Sequence, residues 1–67
     1  MKAIYQHEII NVDVLKETKH CAHTQYTVSG SFSNGMQVVC VVDYGIRAHA
    51  FGYSGGVFKM LDIRIIM

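Results

Sequence analysis

QYTVSGSFSNGMQVVCVVDY, residues 25–44, decides the fold of this 67-residue chain. In its first half Tyr26, Val28, Gly30 and Phe32 alternate with Gln25, Thr27, Ser29 and Ser31. That is the period-two pattern of a strand with one buried face. In its second half Met36, Val38, Cys40, Val42 and Tyr44 share one face, and Gln37, Val39, Val41 and Asp43 the other. Asn34-Gly35 between two such runs is the strongest short-range signal for a β-hairpin. The patterning also selects the loop. A two-residue Asn34-Gly35 turn sets Phe32 against Gln37 and mixes polar side chains into the apolar face. A three-residue Ser33-Asn34-Gly35 loop pairs Phe32 with Met36, Gly30 with Val38, Val28 with Cys40 and Tyr26 with Val42, keeping one face apolar. It also puts Gly35 where a left-handed backbone is required. Because a one-residue slip flips every side chain, the alternation predicts the three-residue loop.

Outward from the hairpin the pattern is more broken. Tyr5, His7 and Ile9 alternate with Gln6 and Glu8, after which Ile10, Val12 and Val14 carry the apolar phase; a bulge or bend near Ile9-Ile10 explains the flip. A short helix from Asn11 is the alternative over 12–20, disfavoured by Val12, Val14 and Thr18 and by the missing apolar i, i+4 stripe. Residues 16–24 read as a polar connection. Beyond the hairpin, Gly45 interrupts the pattern, and Ile46, Ala48 and Ala50 then alternate with Arg47, His49 and Phe51. Gly52-Tyr53-Ser54-Gly55-Gly56 reads as a loop, and 57–66 as a last strand with Leu61, Ile63 and Ile65 inward. The fold class expected is mainly β: one small domain, 1–67, an antiparallel meander of four to five strands curled into a barrel or a highly twisted sheet. There is no proline, no repeat and no low-complexity tract. The chain starts and ends within expected strands, as a whole protein would.

Composition narrows the function classes. A chain this short buries little apolar surface, yet 51% of its residues are hydrophobic and only 16% charged. Part of that apolar material must therefore be exposed or covered by another chain, which makes association the leading expectation. The net charge is +1, and Lys2, Lys16, Lys19, Arg47, Lys59 and Arg64 form no basic stripe, which disfavours binding along a phosphate backbone. No apolar run approaches a membrane span and no basic region precedes an apolar one. The expectation is a cytoplasmic protein whose two cysteines stay reduced.

No catalytic constellation converges. Gly52-Tyr53-Ser54-Gly55-Gly56 spells G-x-S-x-G, but a nucleophile elbow needs a strand-to-helix turn and a histidine later in the chain. No histidine follows Ser54. His20-Cys21-Ala22-His23 offers two imidazoles and a thiol that Cys40, His7 or His49 could complete as a zinc site. The spacing matches no standard zinc motif, and a solvated turn accounts for the same residues. Cys40, on the apolar face, reads as a small buried hydrophobe rather than a nucleophile. Glu8, Asp13, Glu17, Asp43 and Asp62 are scattered. The expectation is a non-enzyme with no cofactor.

The most unusual feature is where charge is missing. From His20 to Val42 there is no Asp, Glu, Lys or Arg, and this stretch carries neither the charge nor the proline that protects sheet edges. Gln25, Thr27, Ser29, Ser31, Gln37, Val39 and Val41, with Tyr53 from the glycine-rich segment, are the expected partner-binding residues. The function this implies is a non-catalytic protein–protein interaction domain that self-associates and docks on a partner protein. Its compact format matches that of small regulators and inhibitors, including those carried by phages and mobile elements. The alternative is a small nucleic-acid-binding barrel that contacts bases and phosphate with Arg47, His49, Phe51 and Tyr53.

Overall fold

The computed structural model describes all residues, 1–67. Eight strands form two antiparallel sheets, and there is no helix. Strands β1 (Lys2–Tyr5), β2 (Glu8–Asn11) and β8 (Arg64–Ile66) make a three-stranded sheet with β1 in its centre. Strands β3 (Asp13–Lys19), β4 (Thr24–Ser31), β5 (Gln37–Asp43), β6 (Ala48–Ser54) and β7 (Val57–Leu61) make a five-stranded sheet in sequence order. The larger sheet is the expected meander, open rather than closed into a barrel. The chain crosses between the sheets twice, through Val12 alone and through Asp62-Ile63. Val12 is buried at its corner, its N–H donating to the Met1 carbonyl at 2.9 Å. No helix is long and apolar enough to cross a membrane.

Three outer segments differ from the sequence reading. The N-terminal run is two strands reversing at Gln6-His7, with Gln6 at φ 55°. This turn carries no glycine, proline or asparagine, so nothing in the letters announced it. Residues 12–20 are mostly strand β3 and not a helix, as the β-branched content favoured. The expected last strand is broken at Asp62-Ile63, with its two halves in different sheets.

The hairpin loop forms as expected. The Phe32 N–H donates to the Met36 carbonyl at 2.8 Å, the Gly35 N–H donates to the Phe32 carbonyl at 3.0 Å, and Gly35 has φ 90°. Asn34 adds a local clasp, its Oδ1 accepting the Met36 N–H at 2.9 Å. Gly30 pairs with Val38, as read. Beyond that point the register shifts: Thr27 pairs with Cys40 and Tyr26 with Val41, so Val28-Ser29 oppose Val39 alone. Matching irregularities lie at Leu15 in β3 and Val39 in β5. The three bulges cross the sheet side by side, which bends it and increases its twist.

The bulges decide the core. Ala3, Val12, Val28, Phe32, Met36, Val38, Val41, Ala50 and Leu61 are buried between the two sheets. Met36, just before β5, and Val38 within it face inward; the strand then changes phase, so that Val41 is fully buried while Cys40 and Val42 are half-buried and Tyr44, just after it, is exposed. The inward assignment of Cys40, Val42 and Tyr44 is corrected accordingly. Two small residues allow close approach across the sheets, Ala3 and Ala50, both wholly buried. Gly52 allows close approach within the large sheet, because a Cβ there would land on the carbonyl oxygen of Gln37 in the neighbouring β5.

Candidate interaction surface

In antiparallel pairing, directly opposed residues project from the same face. Strand β4 places Gln25, Thr27 and Ser31 opposite Val42, Cys40 and Gln37 of β5. Those three lie beside His49, Phe51 and Tyr53 of β6, and Phe51 and Tyr53 lie opposite Met60 and Phe58 of β7. These side chains, with Ser29, form the outer face of the five-stranded sheet, the face turned away from the small sheet. Across β4 to β7 it carries no Asp, Glu, Lys or Arg; charge returns only at the β3 rim, with Asp13 opposite Ser29 and Lys16 opposite Thr27.

The face has two halves. Over β4 it is hydroxyl and amide: Gln25, Thr27, Ser29 and Ser31 are all exposed. Over β5 to β7 it is apolar and aromatic, with Tyr53, Phe58 and Met60 exposed at 44%, 55% and 58%, so the face is open rather than roofed. Tyr53 and Phe58 meet edge to face at 5.4 Å between ring centres. At the opposite end Tyr44 stands edge-on to His49 at 5.8 Å and touches His23 at 5.5 Å; His23 stacks on His20 at 4.6 Å. Aromatic rings thus mark both ends of the apolar half.

Of the residues expected to meet a partner, Gln25, Thr27, Ser29, Ser31, Gln37 and Tyr53 share this face, and Val39 is half-buried at the bulge. Val41 does not join them: the bulge turns it into the core, where it is fully buried. The alternative set also divides. His49, Phe51 and Tyr53 share the face, whereas Arg47 sits in the turn between β5 and β6 and its carbonyl accepts the Tyr44 N–H at 2.8 Å. Sequence reading missed Phe58, Met60, Val42 and Cys40. The first two were within reach, since extending the inward phase of Leu61 back along β7 turns Phe58 and Met60 outward. Val42 and Cys40 were hidden by the bulge.

The thiol chemistry fits a packing role. Partial burial pushes Cys40 above the ordinary thiol range, and a hydrogen bond with Gln25 opposes the shift only in part. A thiol so placed stays protonated near neutrality and is a poor nucleophile. Cys21 is free and exposed in the turn before β4. The His20 N–H donates to the His23 carbonyl at 2.8 Å, closing that turn, and no group of three His, Cys, Asp or Glu side chains gathers as metal ligands. On the inner face, burial raises the Tyr26 hydroxyl, with Glu17 and Asp43 adding to the shift. Comparison with family models, with curated proteins and with solved structures gives no match.

Proposed function

We propose that this protein is a non-catalytic interaction module that pairs with a second copy of itself through the outer face of its five-stranded sheet. The observation that carries the proposal is an uncovered sheet face whose β5–β7 half is apolar. The chain exposes 11 large hydrophobic residues against nine in its core, and three of the 11, Tyr53, Phe58 and Met60, stand together on this face.

A second copy is the occupant that the chemistry favours. A face without formal charge does not repel its own image, and a twofold axis brings the same patch to both sides. Two sheet faces stack about 10 Å apart with strands nearly aligned, a packing open to any flat apolar sheet. A standard interface takes roughly 800 Å² from each partner, under a fifth of the 4579 Å² surface of this chain. The polar β4 half then forms a rim or a docking strip for a further protein, consistent with the format of a small regulator or inhibitor. Nucleic-acid binding is less well supported, because Arg47 stands apart from the aromatic row and no other cation lies on that face of β4 to β7.

Light scattering on gel-filtered protein tests the proposal. The chain is expected at twice its 7.5 kDa mass, and Phe58→Glu at the single-chain mass with unchanged secondary structure. A wild-type chain that stays single at every concentration refutes the pairing.

A further inference from the structure

The largest cavity lies at the corner where β7 leaves one sheet and β8 enters the other, bordering the outer face through His49 and Met60. Its volume is about 830 Å³, within the range of sites that hold small organic molecules. Gln6, Arg47, His49, Asp62 and Arg64 line it. Ile4, Ile63 and Ile65 make an apolar wall.

The polar side of this cleft is short of partners. The only ion pair of the chain is Lys19 with Glu17 at 4.0 Å, so Arg47 and Arg64 line the cleft with no carboxylate within 4.0 Å, although Asp62 lines it too. Asp62 and Ile63 belong to no strand, and neither donates its N–H to another group of the chain. Gln6, whose φ of 55° belongs to the tight β1–β2 reversal, lines the same cleft. Two guanidinium forks and two unengaged backbone N–H groups supply more donors than the two oxygens of a carboxylate can use. A phosphate monoester offers three strongly accepting oxygens and up to two charges. We propose that this cleft binds an organic phosphate monoester, with the phosphate on Arg47 and Arg64 and an apolar body against Ile4, Ile63 and Ile65. Asp62, lining the same cleft, opposes the ligand charge and limits the affinity.

The test is a titration of the full chain followed by amide NMR, using phenyl phosphate, benzoate and inorganic phosphate as separate probes. Because His49 and Met60 line both the cleft and the outer face, it is run on the Phe58→Glu chain as well as on the wild type. Phenyl phosphate is expected to shift Asp62, Ile63 and Arg64 saturably, with a Kd of about 1 mM or tighter and at least about tenfold tighter than either other probe. Arg47→Gln and Arg64→Gln should each weaken it about tenfold, the scale of one charge-assisted hydrogen bond. Asp62→Asn should tighten it. Both arginines are exposed and unpaired, so each variant keeps the dispersed spectrum of the folded chain and either alone is decisive. Absence of saturation, equal binding of benzoate or inorganic phosphate, or indifference to either arginine variant overturns the proposal.

Discussion

Val41 and Val42 are adjacent and chemically identical, yet the bulge gives them opposite tasks. Val41 is fully buried in the core, while Val42 is half-buried on the outer face. Val41→Ala should cost about 2 kcal/mol in urea unfolding, and Val42→Ala well under half of that. Equal losses, or the reverse order, would place the phase change elsewhere. The alternation of β4 was legible because its strand keeps one phase from Tyr26 to Phe32. That of β5 was not, because Val38-Val39-Cys40-Val41-Val42 is apolar on both phases and the letters carry no mark of where a bulge falls. Two titrating groups give a second prediction at this scale. Cys40 and Tyr26 both hold their protons more tightly in the fold than in the unfolded chain, whose ordinary values are 9.0 and 10.0. Their contribution to stability is therefore complete below those values and is lost as pH rises through the higher folded values. The melting temperature should decline above about pH 9, with Cys40→Ala removing the earlier part of the decline and Tyr26→Phe the later part.

Edges and tips distinguish the elements. Strand β3, one free edge of the large sheet, carries Asp13, Lys16, Glu17 and Lys19, the charged guard that discourages edge pairing. Strand β7, the other edge, carries only Lys59 among exposed Val57, Phe58 and Met60. The apolar half of the outer face therefore runs out to an unguarded edge on one side only. The two hairpin tips are tied to each other: Glu8 accepts the Ser33 N–H at 3.0 Å and the Ser33 hydroxyl at 2.8 Å. Glu8→Ala should cost about 1 kcal/mol, and a double-mutant cycle with Ser33→Ala should show coupling, because the bonds to a charged acceptor vanish together. From sequence, Glu8 was one of five scattered acids. Its use depends on a reversal at Gln6-His7 that no turn residue signals, so the tie was invisible until the two sheets were in place.

For the molecule as a whole, composition was the most informative guide. A 51% hydrophobic chain with a nine-residue core leaves apolar surface over, and the topology gathers part of it, Tyr53, Phe58 and Met60, on one face of one sheet, beside half-buried Cys40, Val42 and Phe51. The hairpin that announced the fold sits at the polar half of that face; of the row expected from sequence, Val41 lies in the core, while Phe58 and Met60 join the face from β7. The isolated chain has a radius of gyration of 11.2 Å and extents of 34 × 22 × 19 Å, so stacking along the shortest dimension would give a more compact pair than end-to-end joining. The most direct test is an isotope-filtered NOE experiment on an equimolar mixture of labelled and unlabelled chains. The account predicts contacts between copies among Phe51, Tyr53, Phe58 and Met60. Contacts confined to β3 or to the three-stranded sheet, or no contacts between copies at about 1 mM chain, would contradict it.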